Sequence, residues 1–131
     1  MSSLKQLLQT ADWKTEKHVP VIEAAASVSK AEPVKVTVTV GKEIAHPNTT
    51  EHHIAWVELY FHPAGEKFPY QLGRFDLSAH GAGQQGPNTS TVSIQPSVGV
   101  SFKTEKSGTI IAVSYCNIHG LWENTQELAV V

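Results

Sequence analysis

Thr109-Ile110-Ile111-Ala112-Val113-Ser114-Tyr115-Cys116-Asn117-Ile118-His119-Gly120 is the stretch on which both the fold and the chemistry of this chain turn. Its first seven residues are mostly β-branched and apolar, a composition that reads as a buried strand. Gly120 then breaks the run and marks a turn. Cys116 and His119 therefore stand three residues apart where a strand opens into a tight turn, and both side chains can reach one point. A soft sulfur and a borderline nitrogen aimed at one point suit a transition metal. In isolation the same spacing more often marks an inert buried cysteine beside a surface histidine. The balance shifts because other stretches of the chain offer further ligands.

Working outward, Val34, Val36, Val38 and Val40 alternate with Lys35, Thr37 and Thr39, which predicts a strand with one face in the core, ended by Gly41. A second strand is expected over 53–61, with Ala55, Val57, Leu59 and Phe61 on one face. Others are expected over 70–77, 89–95, 98–105 and 124–131. With 109–115 this makes seven short strands separated by turn signals, the pattern of an all-β sandwich. Ser2 or Ser3 caps a short N-terminal helical segment through Leu4, Leu7 and Leu8, whose leucines are expected to pack on the body of the domain, with Trp13 anchoring the same segment. The glycine-rich stretch 80–88 lacks the spacing and following helix of a phosphate-binding loop and reads as a plain connection. No repeat or second unit is visible, so residues 1–131 are expected to form one domain.

The 131 residues suffice for a core without staples, and 40% of them are hydrophobic. The apolar runs are far too short for a membrane span. The net charge of −2, with Lys and Arg scattered, offers no platform for nucleic acid. No secretory signal is evident, and one cysteine cannot form a disulfide within the chain, which points to the cytoplasm. The seven histidines are the one compositional feature that points toward chemistry.

His18 precedes a proline, His46 precedes another in a loop, and His52 follows His46 by six residues. With Cys116 and His119 they make four imidazoles and one thiolate from three separated loops, which is how a sandwich gathers a site. His53, adjacent to His52, is expected to point the other way. His62 sits in a turn and His80 borders the glycine-rich loop, and both are weaker candidates. Structural zinc prefers a closed tetrahedron, often with several cysteines. Blue copper also uses one cysteine and histidines, but with a weak axial methionine, and the only methionine is Met1. Four nitrogens and one sulfur suit a square-pyramidal iron with an open position. A copper electron-transfer protein and a metal-free binding module of the same sandwich class stay open on these grounds alone.

Three stretches settle the comparison with known families: Glu16-Lys17-His18-Val19-Pro20, His46-Pro47-Asn48-Thr49-Thr50-Glu51-His52-His53, and Ser114-Tyr115-Cys116-Asn117-Ile118-His119-Gly120-Leu121-Trp122. Together they resemble the superoxide reductases, in particular the one-domain neelaredoxin type, from about residue 12 to the C-terminus. The resemblance implies an immunoglobulin-like sandwich and one non-haem iron per chain, cycling between Fe2+ and Fe3+. It implies four histidine ligands (His18, His46, His52 and His119) and an axial Cys116. Glu16 would close the sixth position on oxidised iron, and Lys17 would attract superoxide and help deliver protons. The resemblance further implies reduction of superoxide to hydrogen peroxide without dioxygen, a rubredoxin-like electron donor and a homotetramer. The extra four-cysteine iron centre of the desulfoferrodoxins has no counterpart here.

Overall fold

Strict alternation builds the first layer. In the computed structural model, which describes Met1–Val131, Val34, Val36, Val38 and Val40 of strand β3 (Val34–Val40) are all buried, while Lys35 and Thr37 face solvent. β3 is the middle of a three-stranded antiparallel sheet between β1 (Pro20–Glu23) and β6 (Ser97–Phe102). The second layer is a five-stranded sheet in the order β2-β8-β7-β4-β5. Its members are β2 (Ser27–Val28), β8 (Gly120–Val130), β7 (Gly108–Cys116), β4 (Ile54–Pro63) and β5 (Tyr70–Asp76). Only β2 and β8 run parallel. Leu59 and Ile110, fully buried between the layers, each contribute about 1.5–3 kcal/mol.

β7 carries the argument from sequence to site. Gly108, Ile110, Ala112, Ser114 and Cys116 share its buried face. Side chains alternate with period two, so the strand that packs Ile110 into the core also delivers Cys116 inward at its end. There Cys116 pairs with Gly120 across a three-residue hairpin, and Gly120 takes φ +82°, the left-handed conformation such loops use to turn back. Gly108 holds the other end. A β-carbon there would fall inside contact distance of the His62 carbonyl oxygen and 2.7 Å from the Phe61 ring. Gly108→Ala is expected to destabilise the protein by about 2 kcal/mol, to be measured as a lowered denaturation midpoint.

The seven-stranded sandwich is present, with one exchange of membership. Residues 89–95 form no strand. They hold only a bridge between Ser93 and His80, and Val92 and Ile94 are exposed. Alternation alone does not bury a face when no opposing surface exists. The missing strand is β1, whose Pro20 stands at its first position, a place where a strand tolerates the absent N–H. The two-residue β2 adds an eighth.

β4 also differs from expectation. A bulge between Ile54 and Trp56 shifts its pairing with β7, so Ile54 is buried with Val57, Leu59 and Phe61 while Ala55 is only half-buried. The extra residue breaks the period-two count at the strand's start. The short helix α1 (Leu4–Leu7) is capped at Ser3, whose N–H donates to Gln6 Oε1. Leu4 and Leu7 do not pack on the body, and both are exposed. Gln9 makes the attachment instead, through backbone bonds with Leu121 and Glu123. Trp13, half-buried, lies beneath the Lys42 ammonium, 5.9 Å from the ring centroid. The glycine-rich stretch is a connection, closed by backbone bonds between Gly83 and Gly86.

Candidate metal centre

Three segments converge at one end of the sandwich. Residues 16–19 lead into β1, residues 46–53 lead into β4, and the β7–β8 turn supplies the rest. Ser114, fully buried, donates from Oγ to the His18 carbonyl at 3.3 Å and so ties the first segment to β7. Gly41 makes room for the second. A β-carbon there would lie 2.5 Å from the His46 backbone nitrogen, so any larger residue displaces His46. His46 Nδ1 sits 2.7 Å from the Pro47 carbonyl, which can only accept, so the proton is on Nδ1 and the lone pair on Nε2. Glu16 does the same for His18, with Oε1 2.6 Å from Nδ1 and 3.1 Å from the backbone N–H. A carboxylate behind a ligating histidine fixes its tautomer and raises its basicity.

The four imidazoles form a near-square. Ring centroids are 4.8 Å apart for His18–His46, 4.7 Å for His46–His52, 5.0 Å for His52–His119 and 4.7 Å for His119–His18. The diagonal from His18 to His52 is 6.1 Å. Ligand atoms of His18, His52, Cys116 and His119 all lie within 4.8 Å of one another. His46 stands outside that tightest group but completes the square. His119 turns Nδ1 inward, 3.1 Å from His18 Nε2 and 3.8 Å from Cys116 Sγ. The Cys116 sulfur is fully buried and accepts the His119 backbone N–H at 3.4 Å, which places it on the core side of the ring.

Two atoms test whether a metal fits. The Nε2 atoms of His46 and His52 are buried and have no hydrogen-bond partner. Leaving a buried polar atom unpaired costs about 1–3 kcal/mol, and a cation at the centre of the square removes both deficits. The donor set of imidazole nitrogens with one thiolate is that of a transition metal. Burial pushes His46 down to about 4 and is the first cause lowering His52, followed by the charges of His119 and His18. Both rings are therefore neutral near pH 7, with lone pairs available. The hydrogen bond from His18 is the chief cause holding the Glu16 carboxyl below its usual range.

These shifts carry a sign. The unfolded chain takes up a proton at His46 near its ordinary value of 6.5, while the folded, metal-free protein refuses it down to about 4. The unfolded state binds more protons in that window, so stability falls as pH falls through it. Urea denaturation of the metal-free protein at pH 7 and pH 5 is expected to show a lower midpoint at the acidic value.

The structure brings together all five residues expected as histidine and cysteine ligands. Glu16 is placed differently from a sixth ligand: here it hydrogen-bonds to the outer nitrogen of His18. Lys17 lines the cleft described below. His53 turns away and stacks on His80 at 3.7 Å and 6°. His62 is elsewhere, with Nε2 donating to the Glu66 carbonyl at 2.7 Å. Trp122, which the sequence does not single out, stacks on His18 at 5.1 Å and 15° and donates from Nε1 to the His119 carbonyl. Gln9 donates to the same carbonyl at 2.9 Å. The signal available for Trp122 is its position three residues after His119. Nothing local marks Gln9.

Fold and site together define a β-sandwich metalloprotein with one mononuclear centre of imidazole and thiolate donors. The family model described as Desulfoferrodoxin matches residues 10–125. The chain is 56% identical to the superoxide reductase of Pyrococcus furiosus over 121 residues, 92% of this chain and 95% of that one. It is 51% identical to the neelaredoxin of Megalodesulfovibrio gigas over 124 residues, 95% of each. Among solved structures it resembles the reduced superoxide reductase (neelaredoxin) of Archaeoglobus fulgidus. That TM-score is 0.88 at 59% identity, covering 95% of this chain and 99% of the other. The chain belongs to the desulfoferrodoxin family.

Proposed function

We propose that this protein is a superoxide reductase, which adds one electron and two protons to superoxide to give hydrogen peroxide, without forming dioxygen. The carrying observation is the near-square of imidazoles with a buried thiolate on its core side. The ligands in this reading are His18 through Nε2, His46 through Nε2, His52 through Nε2, His119 through Nδ1 and Cys116 through Sγ, holding one iron per chain. When bound, ferrous iron supplies the single electron, and thiolate ligation raises the electron density available for its transfer.

The chain's own residues do the rest. A cleft of about 350 Å³, lined by Thr15, Glu16, Lys17, His18, Ile44 and His119, reaches the square from solvent. It admits a diatomic anion and water as a proton source, while Cys116 stays closed off on the other side. Lys17 places a positive charge at the mouth. Glu16 orients His18 through Nδ1 and would be the carboxylate at hand to close the open position of an oxidised iron, at the cost of its bond to His18. The family's one-electron donor in this reading is rubredoxin-like, the assembly a homotetramer and the compartment the cytoplasm. A free buried thiol suits a reducing environment. No helix is long and apolar enough to cross a membrane.

Blue copper wants an axial methionine, and the one methionine, Met1, is fully exposed at the start of the chain. A metal-free module leaves two buried imidazole nitrogens unpaired. Metal analysis with a visible spectrum separates the readings: iron with a weak thiolate charge-transfer band supports the reductase, an intense blue copper band overturns it. Superoxide consumption must yield peroxide and no dioxygen.

Lys17→Ala is expected to slow the second-order reaction with superoxide by about tenfold or more, the range of electrostatic steering, and to make it less sensitive to salt. Glu16→Ala is expected to leave the first encounter nearly unchanged and to alter the spectrum of the oxidised enzyme. Pulse radiolysis at low and high ionic strength checks both. A Lys17→Ala protein with the wild-type rate and salt dependence removes the steering role.

A further inference from the structure

His52 reaches the square from a loop, and one side chain from another segment holds that loop. Asn117, between Cys116 and His119, accepts from the His53 backbone N–H through Oδ1 at 2.8 Å. It donates from Nδ2 to the Glu51 carbonyl at 2.9 Å. Its own backbone N–H donates to the His53 carbonyl at 3.2 Å. The backbone groups on both sides of His52 are thus fastened to the turn that carries the thiolate. The β4–β7 ladder ends with Ile54 opposite Cys116, and the Asn117 side chain extends the pairing past that end, where the chain has left strand conformation. On its far side the loop closes on itself, with Thr49 and His52 exchanging backbone bonds at 2.9 and 3.2 Å and the His52 N–H also donating to Thr49 Oγ1. The other hydrogen bonds of Glu51 and His53 go to Asn88 and Thr49, away from the Cys116 turn.

We propose that Asn117 is a positioning residue that sets the placement of His52 relative to Cys116, acting through the backbone of residues 51–53. It touches neither iron nor superoxide. This rests on the reading that His52 and Cys116 are both ligands. An imidazole swung from a free loop samples many positions, and an outer partner that removes this freedom typically changes metal affinity about 10–100-fold. One donor and one acceptor in a single side-chain amide, on either side of His52, supply that restraint beside the backbone bond from Asn117, and a shorter or apolar side chain does not.

The test compares release of iron(II) from the full-length loaded protein to excess chelator, for wild type, Asn117→Ala, Asn117→Leu and His52→Ala. Amide hydrogen exchange at His53 is followed in the metal-free proteins. Both Asn117 variants are expected to release iron about 10–100-fold faster, to shift the charge-transfer band, and to exchange the His53 amide faster without metal. Asn117→Leu keeps the branching at Cγ and errs toward larger where Asn117→Ala errs toward smaller, so agreement between the two variants assigns the effect to the lost hydrogen bonds, and either one alone suffices if the other does not fold. Wild-type release and an unchanged band in the folded Asn117 variants overturn the proposal if His52→Ala has lost its iron. If His52→Ala also holds iron like the wild type, the ligand assignment itself fails and the positioning role falls with it.

Discussion

Cys116→Ser is expected to abolish the thiolate charge-transfer band and to remove most reductase activity. Loss of a partner behind a ligand already costs about 10–100-fold in metal affinity or activity, and loss of the ligand itself should exceed that. The sulfur is fully buried and receives the His119 N–H. A serine hydroxyl is harder and is not ionised near neutral pH, so the electron density that the thiolate lends to the centre is absent. The four imidazoles remain, and some iron binding should survive. The expected signature is therefore a protein that still holds metal, is colourless where the wild type absorbs, and reacts slowly with superoxide. Iron content, absorption and pulse radiolysis measure the three parts. A Cys116→Ser protein with unchanged spectrum and rate removes Cys116 as a ligand.

The second large effect separates neighbours. His52→Ala should lose iron, while His53→Ala should keep it. His52 points Nε2 into the square with no partner. His53 leaves the square, donates to the Thr49 carbonyl at 2.9 Å and stacks on His80. The metal-free proteins should both lose stability, His53→Ala more than His52→Ala. Removing the His52 ring deletes an unpaired buried nitrogen, which offsets part of the lost packing, whereas removing the His53 ring forfeits a stack of about 0.5–1.5 kcal/mol. Iron content beside denaturation midpoints of both metal-free variants gives the answer. Iron lost from His53→Ala and retained by His52→Ala would reverse the assignment.

The alternation of β3 and the apolar run of β7 were legible because each strand packs one face against a core, and burial imposes period two on its own sequence. The direction of Cys116 follows from the same parity. Where parity fails, the cause is non-local. The bulge at Ile54–Trp56 depends on how β7 pairs with β4. Residues 89–95 read as a strand from sequence, and are not one because Val92 and Ile94 meet no opposing surface and a single bridge, Ser93 to His80, is all the pairing they make. Leu4 and Leu7 show helical spacing with nothing beneath them.

For the site, residue types and their order along the chain determined the chemistry: one thiol, four imidazoles, a carboxylate and an ammonium near the first of them. Those properties belong to side chains and survive without coordinates. The tertiary structure alone decided the distances and tautomers. It closed His18, His46, His52 and His119 into a square with edges near 5 Å, because segments far apart in sequence meet only when two sheets pack. It put Glu16 on the outer nitrogen of His18, and Trp122 against that ring's face. It made Asn117 the tie between the loop of His52 and the turn after Cys116. Hydrogen bonds across 64 and 66 residues of chain have no local signal, since their geometry depends on every strand between them.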